Sequence, residues 1–222
     1  MAAVEKYSDL TEIFAKLRHN ERTALTHSNK NINSELSKYN YRLSPDHGCT
    51  DYDYLKAKLE ECHSINRRDV VKIAQWSVTA PEDLSPEQEA DFFRECRNFL
   101  NTRYGIDHEV QAIVHYDEIH QYTDIKTGKT CSSRPHLHYS FIPAVQDKKH
   151  GGEKLCAKKV LTQRDLRNFH QDLQRHLDKC GIRCTVYSGV TQKQGGSISV
   201  QDLKKESLNL EITYSTERSF EF

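Results

Sequence analysis

One run of the chain alternates polar and apolar side chains and reads Arg134-Pro135-His136-Leu137-His138-Tyr139-Ser140-Phe141-Ile142-Pro143. Side chains of a strand point alternately to its two faces, so His136 and His138 share one face while Leu137 and Tyr139 share the other. The run therefore predicts a strand with one apolar face and a second face that carries two imidazoles.

A second strand-like run lies upstream and contains a third histidine; it reads Val110-Gln111-Ala112-Ile113-Val114-His115-Tyr116-Asp117-Glu118. If the two strands are neighbours, His115 joins His136 and His138 on one face, around a point where a divalent cation would sit. Three protein ligands with open positions for a substrate are typical of a catalytic metal site. The alternative is that these histidines are solvent-facing side chains of an edge strand. Two histidines at i and i+2, with a third on another strand, favour the metal site.

The composition predicts one sizeable domain with a solvated surface, because 36% of the 222 residues are hydrophobic and 29% are charged. No apolar run approaches the length of a membrane span. The start of the chain has no hydrophobic signal region, so we expect the protein in the cytoplasm. The seven cysteines are scattered without a CxxC pair. In a reducing compartment this pattern favours free thiols over a disulfide framework or a zinc site.

Charge is distributed unevenly although the formal net charge is +0. Residues 16–45 contain six Lys or Arg against two Glu, and residues 126–183 contain thirteen against five acidic residues. Binding of a polyanion needs a local basic face rather than a basic protein. The two basic segments therefore allow nucleic-acid binding.

Helix and strand signals follow one another along the chain. The pattern predicts a strand over 2–7, a helix over 10–17, an irregular loop over 28–44, a helix over 51–62, a strand over 70–79, a helix from 85 to about 104, a hairpin within 119–133, a helix from 162 to about 179 and a last short strand over 184–188.

Three polar groups near the N-terminus complete the set of motifs: His19-Asn20-Glu21-Arg22, His27-Ser28-Asn29-Lys30-Asn31-Ile32-Asn33 and Asn40-Tyr41-Arg42-Leu43. Together with His115-x-Asp117-Glu118 and Pro135-His136-x-His138, in this order, the chain resembles the plasmid mobilisation and recombination proteins. These form the Mob/Pre family of MobV-type relaxases, within the histidine-hydrophobe-histidine endonuclease superfamily. The resemblance covers residues 4 to about 189. It implies an α+β fold with a central antiparallel sheet, flanking helices and the histidine pair on a core strand.

The resemblance also implies the chemistry of the site. Three imidazoles alone would suggest zinc, whereas the family implies Mn²⁺ or Mg²⁺ at His115, His136 and His138. The family also implies that His19 is the nucleophile, and a neutral imidazole is competent for that role. The rival nucleophiles are Tyr39 and Tyr41, and the alternative for His19 is a surface histidine at a helix end.

Two further residues are assigned to catalysis. Arg22 could hold a phosphate or orient the nucleophile ring. Glu118 could orient a metal ligand or handle a proton, and the alternative is an ordinary surface acid at the end of a strand.

A donor-rich segment and its neighbours are the predicted DNA contacts. They are His27, Asn29, Lys30, Asn31, Asn33, Asn40, Tyr41 and Arg42. The alternative for the segment is a solvated loop, and for Tyr41 a packed ring. In the family pattern the carboxylate pair and the histidine pair lie almost adjacent, whereas here residues 119–134 intervene. If this insertion is a projecting hairpin, Lys126, Lys129 and Arg134 are available to grip DNA.

These expectations define a metal-dependent relaxase that nicks and rejoins one strand at an origin of transfer, through a covalent protein–DNA intermediate. The alternatives are a non-catalytic module of the same fold that binds a DNA hairpin, and a replication-initiation nuclease that uses tyrosine. The expected partners are single-stranded or hairpin origin DNA and relaxosome or coupling proteins. We expect a monomer or weak dimer, with a relaxase domain over 1–190 and a polar C-terminal extension over 191–222.

Overall fold

A computed structural model describes residues 2–24, 29, 31–118, 121–123 and 130–187. The strands are β1 Ala2–Tyr7, β2 Tyr41–Arg42, β3 Cys62–His63, β4 Ile73–Thr79, β5 Glu109–His115, β6 Gln121–Thr123, β7 Thr130–Ser132, β8 His136–Phe141, β9 Ala144–Gln146 and β10 Glu153–Leu155. The helices are α1 Leu10–Glu21, α2 Asp51–Glu61, α3 Glu89–Tyr104, α4 Ala157–Val160 and α5 Gln163–Lys179. None of the described helices is long and apolar enough to cross a membrane.

The chain divides into two compact units. Residues 1–118 and 134–187 form the first, and residues 119–133 and 188–222 form the second. In the second unit the described part is the hairpin of β6 and β7, which pair antiparallel with Tyr122 opposite Cys131. A hairpin within the insertion is the structure that the sequence predicted.

The first unit is built on a five-stranded sheet in the order β1-β4-β8-β5-β2. All four pairings are antiparallel. The histidine strand β8 is the third of the five strands, so it lies in the centre of the sheet. A smaller sheet, in the order β3-β10-β9, completes the unit. The prediction of a central antiparallel sheet with flanking helices is therefore confirmed, and the edge-strand alternative for the histidines is wrong.

One face of the main sheet carries the larger hydrophobic core. The β8 side chains Leu137, Tyr139 and Phe141 are fully buried there, against α3 and α5. Trp76 stacks on Phe169 with ring centroids 3.6 Å apart. Burial of these apolar side chains determines which face of the sheet packs against α3 and α5, because each buried side chain of this size stabilises folding by about 1.5–3 kcal/mol.

The opposite face carries polar side chains beneath α1. Helix α1 begins where Asp9 accepts hydrogen bonds from the backbone N–H groups of Thr11 and Glu12, at 2.9 and 3.0 Å. Its inner side buries Ile13, Leu17 and Asn20. Ile13 and Leu17 belong to a second, smaller hydrophobic cluster. Asn20 lies farther along the helix, where the sheet turns its polar side chains toward α1.

Two expectations about secondary structure were wrong. The predicted loop over 28–44 contains a short 3₁₀ helix, Ser37–Tyr39, and the edge strand β2. The predicted strand over 184–188 is irregular through its described part, residues 184–187. Side chains capture its backbone N–H groups: Asp83 accepts from Thr185 at 3.0 Å, and Gln174 accepts from Val186 at 2.8 Å. These N–H groups are therefore not paired in a sheet.

Candidate active site

Strand pairing brings the three predicted metal ligands together. His115 on β5 lies directly opposite His136 on β8, and His138 follows two residues later on the same face. The Nε2 atoms of His136 and His138 are 3.0 Å apart. The ring centroid of His115 is 5.5 Å from that of His136 and 4.8 Å from that of His138. The geometry is therefore that of three donors around one point.

Glu118 adds a carboxylate to this group. Its Oε1 lies 3.4 Å from Nδ1 of His115, and its Oε2 lies 3.9 Å from Nε2 of His136. One ligand atom from each of Glu118 and the three histidines lies within 4.8 Å of the others. The sequence predicted an orienting or proton-handling role for Glu118, not that of a fourth ligand. Glu118 lies beyond the end of β5, where strand alternation no longer predicts the direction of a side chain.

Hydrogen-bond partners at the second ring nitrogen fix the orientation of His115 and His138. His115 Nε2–H donates to the backbone carbonyl of Asn20 at 2.8 Å, which leaves Nδ1 facing Glu118. His138 Nδ1 lies 2.9 Å from the Gln75 amide nitrogen and 3.0 Å from the Ser77 hydroxyl, which leaves Nε2 facing His136. Partners at the second nitrogen orient metal-binding histidines. No sequence pattern predicted these roles for Asn20, Gln75 and Ser77.

Burial sets the charges of the group. Desolvation lowers the pKa of His136 to about 4 and that of His138 well below its usual value. Both rings are therefore neutral near pH 7, as metal ligation requires. Burial acts to raise the pKa of Glu118, but the contacts of its carboxylate with the rings of His115 and His19 outweigh it and hold that pKa below its usual range. Neutral imidazoles with one carboxylate are a donor set that fits a divalent cation.

Arg22 ends α1 in the left-handed conformation, with φ of 58°, and is the one non-glycine residue with positive φ in the described ranges. Its Nε and Nη2 donate to the two oxygens of Asp117 at 2.8 and 2.6 Å. Nη1 donates to the His19 carbonyl at 2.6 Å, and Nη2 also reaches Glu118 at 2.9 Å and His115 Nδ1 at 3.1 Å. Arg22 thereby holds the end of α1 against the histidine group. Of its two predicted roles, these contacts favour orientation over phosphate binding.

Asp117 is the buried anchor of this arrangement; the motif that contains it gave it no predicted role. Its carboxylate accepts from Arg22, from the Ser37 hydroxyl at 2.6 Å and from the Asn40 amide at 2.8 Å. Burial acts to raise the pKa of Asp117, but these hydrogen bonds hold it well below its usual range. Asp117 is therefore an ionised, fully satisfied partner for Arg22.

His19 lies in the last turn of α1, beside the carboxylate of the group. Its Nε2 is 3.3 Å from Glu118 Oε1, and its ring centroid is 6.4 Å from that of His115. The side chain keeps 23% of its surface exposed. The predicted nucleophile is thus adjacent to the candidate ligands and accessible from solvent.

The rival tyrosines lie elsewhere. Tyr41 pairs with Val114, so its ring takes the face of the sheet opposite to His115 and packs against the larger core. Tyr39 is 55% exposed and lies beside the ammonium group of Lys38. Neither position favours attack at the histidine group.

The predicted DNA contacts have different surroundings. Asn29 donates to Glu118 at 3.2 Å and also accepts from the Asn31 backbone N–H, and Asn33 accepts from that of Glu35. Asn40 binds Asp117, Arg42 is ion-paired with Asp51 and Glu21, and Arg134 lies 3.5 Å from Glu82. His27, Lys30, Lys126 and Lys129 lie outside the described residues. DNA binding by this set stays a prediction.

We expect Asp117→Asn to lower the free energy of unfolding by roughly 3–5 kcal/mol, because it leaves the largely buried Arg22 without its main anionic partner. A denaturant titration measures the change. Asp91→Asn is the matched control, since Asp91 pairs with Arg94 on the surface with about half of its side chain exposed, and we expect a change within about 0.5 kcal/mol. Equal losses in the two variants would show that Asp117 does not anchor Arg22.

Comparisons with known proteins identify the family. The model of Mob_Pre, described as plasmid recombination enzyme, matches residues 1–202. The chain therefore belongs to the Mob_Pre family of plasmid recombination enzymes, and the resemblance inferred from the motifs is confirmed. A plasmid recombination enzyme of Streptococcus agalactiae is 27% identical over 88% of this chain and 37% of its own length. A type 1 enzyme of Staphylococcus aureus is 30% identical over 66% of this chain and 35% of its own length. The chain thus spans well under half the length of these relatives.

Solved structures agree with the family and the fold. A Mn-bound crystal structure of the MobM relaxase domain with plasmid pMV158 oriT DNA is 26% identical, with a TM-score of 0.71 over 93% of this chain and 97% of that chain. A second Mn-bound structure of that domain, at pH 4.6, is 24% identical with a TM-score of 0.69 over 92% and 98%. The relaxase-like α+β fold is therefore confirmed.

Proposed function

We propose that this chain is the nicking part of a DNA relaxase. It cuts one strand at a plasmid or transposon origin of transfer, stays covalently joined to the cut end and later rejoins it. The observation that carries the proposal is His19 Nε2 lying 3.3 Å from the Glu118 carboxylate, which itself lies among three histidines. A nucleophile thereby faces a group able to bind a cation. The Mn-bound, DNA-bound MobM relaxase domain supports this function.

His115, His136 and His138 would hold Mn²⁺ or Mg²⁺, with Glu118 as a fourth ligand. When bound, the cation polarises the scissile phosphate and offsets the negative charge that develops there. Imidazole nitrogens favour Mn²⁺ over Mg²⁺, which prefers oxygen ligands. Arg22 Nη2 contacts both Glu118 and His115 Nδ1. If these two residues held a cation, Arg22 would still be anchored by its bidentate pair with Asp117.

The nucleophilic step is the work of His19. A neutral imidazole nitrogen forms a bond to phosphorus while the bond from phosphorus to the 3′ oxygen breaks, and the departing oxygen takes up a proton. The product is a phosphoramidate to the 5′ end of the cut strand. Glu118 stabilises the positive charge on the ring as the bond forms, and Arg22 positions His19 through its backbone carbonyl.

Single-stranded or hairpin origin DNA is the proposed substrate. The basic segments 16–45 and 126–183 supply the positive charge that phosphates require. The donor residues from His27 to Arg42, with Lys126, Lys129 and Arg134, are the proposed contacts. Among the described members of this set, Asn29 donates to Glu118 at 3.2 Å, which makes it the proposed contact nearest to the scissile phosphate.

The setting of the activity is also part of the proposal. Residues 1–190 would be the relaxase domain and residues 191–222 a polar extension. The protein would act in the cytoplasm as a monomer or weak dimer, together with relaxosome or coupling proteins. Relatives more than twice as long are consistent with such additional contacts.

The test of the function is strand-specific nicking. In the presence of Mn²⁺, we expect the protein to convert a supercoiled plasmid carrying the cognate origin to the relaxed form. The protein should then be attached to the 5′ end of the cut strand. A plasmid with a scrambled origin is the control. Origin binding without any cut, in Mn²⁺ or Mg²⁺, would instead support the non-catalytic binding module.

A further inference from the structure

A second cluster of metal-binding side chains lies on the other side of the main sheet, between α3 and the end of α5. Glu95 Oε2 lies 3.2 Å from His176 Nε2 and 3.3 Å from Cys180 Sγ, and the sulfur lies 3.7 Å from the same nitrogen. The three ligand atoms thus form a triangle with sides of similar length. The motifs of the sequence analysis do not include any of these residues.

The size of this triangle matches one face of a zinc tetrahedron. Zinc bonds of about 2.3 Å to sulfur and about 2.0–2.2 Å to nitrogen and oxygen separate tetrahedral ligands by about 3.3–3.6 Å. The observed separations of 3.2, 3.3 and 3.7 Å agree with these values. We propose that Glu95, His176 and Cys180 form a zinc site, separate from the histidine group, with water as the fourth ligand.

The local structure holds each ligand in place. His176 and Cys180 are four residues apart, so they project from the same side of α5. Gly181, with φ of +75°, ends this helix, and the N–H of Ile182 returns to the Leu177 carbonyl at 3.0 Å. This fixes the backbone of Cys180. The Asn98 amide donates to Oε1 of Glu95 at 3.2 Å, which directs Oε2 toward the other two ligands.

Charge also favours a cation at this position. A thiolate and a carboxylate together neutralise Zn²⁺, and the thiol releases its proton when the metal binds. The site lies at the C-terminus of α5, a helix of 17 residues, where the helix dipole is negative. A zinc ion bound there would link α3 to α5, the two helices that cover the larger core.

A third cluster, His63 with Asp147 and His150, does not meet the same conditions. Lys154 donates to Asp147 at 3.0 Å, so a cation already occupies that carboxylate. The guanidinium of Arg94 lies farther from Glu95, 3.6 Å from Oε1, and leaves Oε2 to the cluster. The two imidazole rings stack with centroids 4.5 Å apart. Stacked rings direct their lone pairs side by side rather than at a common point. Glu95 with His176 and Cys180 is therefore the cluster that the geometry favours.

Cobalt substitution tests the proposal, because a thiolate-to-cobalt charge-transfer band arises only when a cysteine binds the metal. The histidine group contains no cysteine, so its own occupancy does not interfere. We expect the whole protein to show this band. In the His136→Ala variant, where the histidine group is disabled, one equivalent of Co²⁺ should saturate it. Zinc should abolish the band by displacement and should raise Tm by roughly 5–10 °C when it exceeds Kd a hundredfold.

Variants assign the ligands. In a His136→Ala background, zinc should still raise Tm through the second site. Adding Cys180→Ser should remove both that rise in Tm and the cobalt band. Cys180→His in its place should restore the rise in Tm without the band. Cys49→Ser, which alters another exposed free cysteine, should change neither. Nicking in Mn²⁺ should be the same in Cys180→Ser and the parent protein. Absence of the band in the parent, or its survival in Cys180→Ser, would overturn the proposal.

Discussion

His19→Ala should abolish both nicking and the covalent protein–DNA adduct, with a loss of rate of about 10⁴-fold or more. Removal of a nucleophile that acts together with its neighbours typically costs this much. The adjacent Arg22 and Glu118 should not replace the lost ring, because a protonated guanidinium is not a nucleophile and the Glu118 carboxylate already accepts from Arg22 and Asn29. The measurement is relaxation of an origin-bearing plasmid, with the adduct detected by denaturing gel electrophoresis.

Acid treatment separates the possible nucleophiles. A phosphoramidate to histidine is labile in acid, whereas a phosphotyrosine bond survives it. Tyr39→Phe and Tyr41→Phe are the matched controls and should both form the adduct, since one ring is exposed and the other packs against the larger core. An acid-stable adduct that disappears with either of these variants would transfer the role of nucleophile to that tyrosine. The family membership would stand, but the role of His19 would not.

His136→Ala should remove the Mn²⁺-dependent increase in Tm at the histidine group and should slow nicking by about 10³-fold. Electrostatic stabilisation by a bound cation contributes several kcal/mol to the transition state, and each 1.36 kcal/mol is a tenfold change in rate. His136 is the better choice than His138, because its side chain keeps 15% of its surface exposed, whereas His138 is buried and contacts Gln75 and Ser77. The fold should therefore tolerate this substitution.

His150→Ala is the matched control for this experiment. His150 is an imidazole of the first unit with 46% of its side chain exposed, and its loss should leave the Mn²⁺ response and the nicking rate unchanged. If His136→Ala kept the full increase in Tm and the full rate, the cation would have to bind elsewhere. If both variants lost the response equally, the effect would not be specific to the histidine group.

The regular part of the fold follows from local sequence patterns. The alternation in β8 predicted a strand with an apolar face, and Thr162 correctly marked the start of α5, whose N-cap it is. The short strands β2, β3 and β10 have two or three residues each. Such short segments show no periodicity, and distant partners determine their conformation. The wrong strand prediction near Cys184 has the same origin, since distant side chains of α5 and of the segment after β4 bind its backbone.

The candidate site likewise contains residues that local sequence patterns predict and residues that they do not. The three histidines could be predicted because alternation within a strand fixes which side chains share a face. Gln75, Ser77 and Asn20 could not, because they are 63, 61 and 95 positions from the histidines that they contact. Asp117 could not be distinguished from Glu118 beyond the end of β5. Its four bonds from Arg22, Ser37 and Asn40 depend on how two separate segments fold back.

The central position of β8 determines when the site takes shape. A strand with partners on both sides opens only when the whole sheet opens, whereas the last turn of a helix opens at a lower free energy. His136 and His138 are therefore placed as soon as the sheet has formed, while the end of α1 takes its position only when Arg22 pairs with Asp117. If the proposed roles hold, the substrate would meet ligands that are already rigid, and the attacking histidine would be the last part of the site to be positioned.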